Sequence, residues 1–180
     1  MPYQYAFKNI DYSDYSSGRV LIGAPGYPAF PVRLATDIYQ VCREHHIKAG
    51  NPGPYSIYDP VCGSAYMLTT ISLLHYDTIQ TVIGSDIDRK VLDIAQRNLS
   101  LLTLAGVDSR IDELKRMIET YGKHSHQVAL ESANKIRHRI ETISKDRSIS
   151  VRLFQANCLE SRALTNHIID IVIITPDCVF

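Results

Sequence analysis

Neither sign of charge is in excess: 19 Lys and Arg stand against 19 Asp and Glu in 180 residues. No global field therefore draws the chain to nucleic acid or to a membrane surface, and any basic face has to be local. No stretch approaches the ~20 apolar residues of a membrane span. Met1 to Tyr15 is polar and tyrosine-rich, where a secretory leader would be basic and then apolar. Cysteine is sparse and scattered: Cys42, Cys62, Cys158 and Cys178 form no C-x-x-C pair and no Cys/His set at zinc spacing. Free thiols in a reducing compartment, and hence a cytoplasmic location, are the expectation. The seven histidines include no i, i+4 pair beside a glutamate, so no metal is expected. Two glycine patterns are missing as well. There is no G-x-G-x-x-G to bring a dinucleotide pyrophosphate onto a helix. Ser64 lies between Cys62 and Tyr66, where a nucleophile elbow requires glycines. What remains, 45% hydrophobic and 21% charged residues, fits one soluble globular domain with a core of its own.

Element types alternate along this chain. Residues 1–32 read as irregular, with Gly and Pro concentrated in Gly23-Ala-Pro-Gly-Tyr-Pro-Ala-Phe-Pro31, which neither a helix nor a central strand accommodates. A helix from Val32 to about His45 follows, and Asn51-Pro-Gly-Pro54 ends it, so residues 1–54 read as an appendage. From Tyr55 the pattern is strand then helix, which is what a parallel sheet with crossover helices requires. The strands are expected at Tyr55–Tyr58, Thr81–Ser85, Ser150–Gln155 and Ile168–Ile174, the last an apolar run suited to burial on both faces. The helices are expected at Tyr66–Leu74 and from Arg89 to about Leu104, with Gly106 as the C-cap of the second. Residues 108–147 interrupt the alternation with two helical patterns. Ser109 and Asp112 resemble a capping box, and Ile111, Leu114, Ile118 and Tyr121 form a stripe closed by Gly122. Ala129, Ala133, Ile136, Ile140 and Ile143 form another, so the pair reads as an inserted helical hairpin in a domain spanning 55–180.

The chemistry gathers at the carboxyl ends of the strands, where open α/β sheets bind ligands. Asp59-Pro-Val-Cys-Gly-Ser-Ala65 is a tight strand-to-helix turn. A small residue there lets the backbone approach a ligand, and the next helix presents free N–H groups. Asp86 closes the second strand, where a carboxylate accepts from both ribose hydroxyls and repels a 2′-phosphate. Together they indicate an adenosine-containing cofactor. An aspartate opening the loop suits a ligand bearing an ammonium group, and S-adenosylmethionine is such a ligand.

Tyr58-Asp-Pro-Val-Cys-Gly-Ser-Ala-Tyr66, Ile83-Gly-Ser-Asp-Ile-Asp88 and Phe154-Gln-Ala-Asn-Cys158 resemble motifs of the class I S-adenosylmethionine-dependent methyltransferases, especially those acting on RNA or DNA bases. With Gly23–Leu34 and the helical insertion, the chain is similar more narrowly to the avilamycin-resistance 23S rRNA guanine methyltransferases. The resemblance implies a Rossmann-like sheet and N-methylation of a guanine in 23S rRNA of the large ribosomal subunit, with antibiotic resistance as the outcome. It also implies that Asp59 lies near the methionine ammonium, with Pro60, Cys62, Gly63 and Ala65 forming the turn beneath the methionine. Asp86 would hold the ribose, and Asn157 with Cys158 would meet the adenine. A family proline motif at the end of strand four is matched only by Thr175 and Pro176, which become the candidate catalytic positions. Ala65 replaces a usual second glycine, and a positive φ there would cost on the order of 1 kcal/mol.

Plainer roles stand beside these. Cys62 suits a small apolar filler and Asp88 a helix N-cap. Arg33 suits a salt bridge or a phosphate. Between Lys123 and Arg147 six basic residues face three acidic ones; Arg137, Arg139 and Lys145 are either RNA-phosphate contacts or a solvated helix face. Other substrates, such as DNA adenine, a protein side chain or a small molecule, remain open, as does a non-catalytic S-adenosylmethionine- or RNA-binding fragment. Removing the appendage and insertion leaves roughly 85 residues for the sheet, enough for four strands in the order 3-2-1-4. The resemblance implies seven. The expectation is a C-terminally truncated, cofactor-binding half with strand four as an exposed edge, weak or absent activity and marginal solubility.

Overall fold

The computed structural model describes residues 10–26, 29–144, 147–160 and 168–174. Among the described residues, nine elements follow a short 3₁₀ turn at Ser13–Tyr15: α1 (Val32–Lys48), β1 (Tyr55–Asp59), α2 (Tyr66–Leu74), β2 (Ile79–Asp86), α3 (Arg89–Ser100), α4 (Leu104–Tyr121), α5 (His124–Ile143), β3 (Ser150–Gln155) and β4 (Ile171–Val172). The described strands form one sheet in the order β3-β2-β1-β4, with parallel pairing throughout. This is the order read from the sequence. Crossovers between neighbouring parallel strands are right-handed, so α2 and α3 lie on one face, and α1 packs beside α2. Every residue of β1 is buried, as its central position demands. Among the described residues no helix is long and apolar enough to cross a membrane.

The described residues of the N-terminal segment are not an appendage in packing terms. Val20, Leu21, Ala35 and Tyr39 are buried in the same cluster as Ile57, Leu68, Ile79 and Leu99. α1 also runs on to Lys48, beyond the expected His45.

The long expected helix after Arg89 is two helices. α3 stops at Ser100, and three tight backbone bonds, Leu101 N to Asn98 O, Leu102 N to Leu99 O and Thr103 N to Ser100 O, turn the chain. The break buries two adjacent leucines, Leu101 and Leu102, which a continuous helix would point about 100° apart. Thr103 then caps α4, its hydroxyl accepting from Gly106 N at 3.1 Å. Gly106 is therefore no C-cap, and Ser109 opens no capping box; the hairpin starts at Leu104. A Cβ on Gly106 would lie 2.0 Å from Ser100 O, so glycine is required by the close approach of two helix ends. Gly106→Ala is expected to cost about 2 kcal/mol, a fall of roughly 4–8 °C in Tm. A thermal melt indistinguishable from that of the native chain would show that the helix junction yields freely.

Gly122 ends α4 in the left-handed region, at φ 60°, and α4 and α5 pack as the expected hairpin. Ile111, Leu114, Ala129, Ala133, Ile136 and Ile140 are buried as read, but Tyr121 is exposed and Val107 takes a place in the core. At the sheet's other end, only Ile171–Val172 of the expected Ile168–Ile174 run pairs as strand. Ile171 and Ile173 are 3% and 5% exposed, whereas Val172 and Ile174 are 54% and 62% exposed. Burial on both faces is thus corrected: among the described residues one face is covered, with the period of two that a strand imposes.

Candidate cofactor site

The turn after β1 is built by bonds to the neighbouring strand. Cys62 N donates to Ser85 O at 2.9 Å, and Ala65 N closes the turn onto Cys62 O at 2.7 Å. Gly63 and Ala65 adopt φ values of 52° and 53°. Ala65 is thus the one non-glycine residue with positive φ among the described residues, and the expected strain of a Cβ there is present. Gly84 on β2 makes room for the turn: a Cβ there would sit 3.0 Å from Cys62 Sγ and 3.1 Å from a methyl of Leu153. Cys62 is buried, in keeping with a filler.

Asp86 ties the two halves together. Its Oδ2 accepts from Gly63 N at 2.9 Å and its Oδ1 from Asp88 N at 2.9 Å, so the side chain expected to hold a ribose also holds the turn. Each oxygen keeps a further lone pair. Asp88 caps α3, accepting from Lys90 N at 2.9 Å, the N-cap role that the sequence suggested. Below the turn, Ser85 Oγ donates to Pro60 O at 3.2 Å and bonds to Tyr58 OH at 2.8 Å.

Asp59 is 2% exposed. Its Oδ1 accepts from Val61 N at 3.0 Å, and it has no salt-bridge partner among the described residues. Burial, partly offset by the Val61 bond and reinforced by the charge of Asp86, pushes its carboxyl up to about 7. A desolvated carboxyl lacking a counter-charge becomes ionised readily once a cation reaches it, which fits the ammonium of S-adenosylmethionine. The first turn of α2 adds N–H groups without intrahelical acceptors, and no side chain caps that end.

The third strand contributes less than expected. Asn157 is half-buried and forms a local turn, its Oδ1 accepting from Leu159 N at 3.1 Å and its Nδ2 donating to Glu160 at 3.3 Å; one lone pair remains for a ligand. Cys158 is exposed. Beside this end of β3 lies a cavity of about 310 Å³, lined by Arg89, Gln96, Phe154 and Gln155 among others. Thr175, Pro176 and Lys145 lie outside the described residues. Among the described residues no group of His, Cys, Asp and Glu is arranged to hold a metal.

The basic candidates are dispersed, and those among the described residues have partners of their own. Arg137 is held between Asp108 at 2.7 Å and Glu141 at 3.2 Å. Arg139 donates to Leu74 O at 2.9 Å. Arg33 is exposed on the first turn of α1. Sequence reasoning missed Ser85, Gly84 and Asn98; the last, a polar residue amid the apolar positions of α3, carried a signal that went unused.

A parallel 3-2-1-4 sheet, a left-handed turn after β1 and an acidic residue ending β2 define the class: this is a Rossmann-like fold of the class I methyltransferase type. The chain belongs to the rRNA methyltransferase AviRa family, whose model matches residues 1–176. It is 40% identical over 163 residues to a 23S rRNA (guanine(2535)-N(1))-methyltransferase of Streptomyces viridochromogenes, covering 91% of this chain and 63% of that relative. The chain thus spans less than two thirds of the length of that curated protein. Two solved structures of the rRNA methyltransferase aviRa from Streptomyces viridochromogenes are similar to it over 96% of this chain and 69% of theirs. The one at 1.5 Å gives a TM-score of 0.86 at 37% identity, and the one at 2.4 Å gives 0.84 at 38%.

Proposed function

We propose that this chain binds S-adenosylmethionine over the carboxyl ends of β1 and β2 and serves N-methylation of a guanine of 23S rRNA, in the large ribosomal subunit of the cytoplasm. The observation that carries this reading is the buried Asp59 carboxyl, unmatched by any cation among the described residues, beside a left-handed turn fastened to Asp86. Membership of an rRNA methyltransferase family supplies the RNA class.

The donor supplies an electrophilic methyl on a sulfonium, itself a good leaving group. The chain's part is positioning. Asp59 would neutralise the ammonium, and Gly63 and Ala65 would let the backbone approach the methionine end. The remaining lone pairs of Asp86 would accept from the ribose hydroxyls, and Asn157 beside Cys158 would face the adenine. A target base has to leave its stack to reach such a site, and Thr175 and Pro176 are the positions proposed to meet it.

Calorimetric titration with S-adenosylhomocysteine, paired with transfer of labelled methyl to large ribosomal subunits, tests the reading. Binding with weak transfer is the expected result. Binding without transfer would leave a cofactor-binding unit only, and no binding would overturn the reading.

For the RNA, we propose that Arg33, Arg139 and Lys145 contribute phosphate contacts, while Arg137, matched by Asp108 and Glu141, contributes least. Neutralising Arg139 and Lys145 together is expected to lower the slope of log K against log salt by about 1–2, each phosphate contact being worth ~0.7–0.9. Arg137→Gln is expected to leave that slope in place. An unchanged slope in the double variant would assign Arg139 to its bond with Leu74 alone.

A further inference from the structure

The residues before α1 cross four helices in succession. The Asp14 carboxylate accepts from Ser132 Oγ at 2.7 Å and from Lys135 Nζ at 3.1 Å, both on α5. Tyr15 O accepts from Tyr66 OH, on α2, at 2.7 Å. Arg110, on α4, donates to Arg19 O and Val20 O, each at 3.0 Å, and Val20 and Leu21 lie wholly inside. The crossing ends on α3, at Asn98. Its Oδ1 accepts from Ile22 N at 2.8 Å, and its Nδ2 donates to Ile22 O and to Ser64 O, each at 2.9 Å.

Asn98 is fully buried, and both of its amide hydrogens are used. A side chain that donates twice and accepts once reads both backbone groups of Ile22 and has one donor left for the turn. Aspartate offers acceptors alone, and leucine offers neither. A left-handed backbone at a residue with a Cβ persists only where its surroundings over-determine it. Three fastenings of the turn, Cys62 N, Gly63 N and Ala65 N, come from β2 or from the turn itself. The bond to Ser64 O comes from outside them, on α3, beside the two that Ala65 O accepts from Thr69 of α2.

We propose that Asn98 is a positioning residue for the cofactor turn: it fixes Ser64, and with it the left-handed Gly63–Ala65 backbone, to the N-terminal strap. The docking of that strap on the α4–α5 hairpin thereby sets cofactor affinity. The affinity part rests on the S-adenosylmethionine reading of the site; the backbone part stands apart from it.

The test compares Asn98→Asp, which keeps the shape but loses both donors, with Arg110→Gln, which loosens the strap at Val20 and leaves Asn98 intact. A core control, Leu114→Ala on α4, lowers stability while removing none of the hydrogen bonds of strap or turn. Amide hydrogen exchange at residues 63–67 and calorimetry with S-adenosylhomocysteine are read on each. Asn98→Asp is expected to speed exchange at the turn at least tenfold and to raise Kd at least tenfold, and Arg110→Gln to raise Kd about threefold. Leu114→Ala is expected to lower Tm with both readings unchanged at the turn. If Asn98→Asp does not fold, Asn98→Ser and Arg110→Gln carry the comparison. Turn exchange and Kd that follow Tm alike in all variants would overturn the proposal and leave Asn98 a core residue. A native chain that binds no S-adenosylhomocysteine would instead overturn the cofactor reading, while the exchange data still decide whether Asn98 holds the turn.

Discussion

Replacing Asp59 by Asn is expected to make the unliganded chain more stable above pH 7 while weakening its hold on S-adenosylmethionine. The carboxyl sits at about 7 in the folded chain, raised chiefly by burial, against an ordinary value of 3.8. Between these values the folded state holds a proton that the unfolded state has released, so stability falls as pH rises, by roughly 1.4 kcal/mol per unit. Above pH 7 the whole penalty stands, on the order of 4 kcal/mol before structural relaxation reduces it. Asn retains the bond from Val61 N and cannot ionise. A gain of about 2–4 kcal/mol at pH 8, shrinking towards zero near pH 4, is therefore expected from urea unfolding at the two pH values. Ligand binding should move the other way. Below pH 7 the native carboxyl has to lose its proton to meet an ammonium, so the association constant rises about tenfold per pH unit up to 7. It falls again above ~8, where an α-amino group loses its own proton. In Asp59→Asn the rise below 7 disappears. A native chain whose affinity is flat from pH 5 to 8 would remove Asp59 from the cofactor's amino end.

On the proposed reading, that opposition is a reason for a buried carboxyl to stand at Asp59 at a cost to the fold. Buried and strained groups cluster where function needs them, and this turn holds two: the Asp59 carboxyl and the left-handed Ala65. Ala65 sits where the backbone suits glycine, and the neighbouring bonds from β2 keep it there.

Much of this was legible in the sequence because the signals were local. The Tyr66–Leu74 helix and the Ser150–Gln155 strand have the bounds that apolar spacing and flanking residues indicated. The order 3-2-1-4 follows from alternation and handedness. Three features depended on tertiary neighbours and were less readable. The break at Leu101–Thr103 exists because two adjacent leucines are both buried, although Thr103 carried a capping signal. The Ile168–Ile174 run is apolar on both sides of its alternation save for Asp170, so composition alone could not show that one face lies open. The partners of Arg137 come from another helix and from its own next turn, and only the first of these is beyond local reading. The site was legible as residue types, Asp59, Gly63 and Asp86. That Asp86 braces the turn it was expected to serve across was not, since the bond from Gly63 N joins residues 23 apart.

This double duty makes Asp86→Ala the variant with the largest expected loss. Two backbone N–H groups, Gly63 and Asp88, lose a charged acceptor, and the first of these bonds is buried. At ~1–3 kcal/mol for each donor left unpaired, the fold loses about 3–4 kcal/mol. On the proposed reading of the site, the ribose hydroxyls would lose both of their acceptors at the same time. Hydrogen bonds to a charged group are worth ~1.5–3 kcal/mol each, so affinity for S-adenosylhomocysteine should fall at least a hundredfold. Asp86→Asn separates the two duties. Its amide keeps one acceptor oxygen but turns an N–H₂ towards a backbone N–H on the other side, so one brace survives and the other becomes a donor facing a donor. Stability is expected between the native and Ala values, with affinity close to that of the Ala variant, because the ribose needs both oxygens. Urea unfolding and calorimetry on the three proteins give the two series independently. If stability falls in Asp86→Ala while affinity holds, Asp86 is a brace alone, and the ribose is held elsewhere on the β2 end.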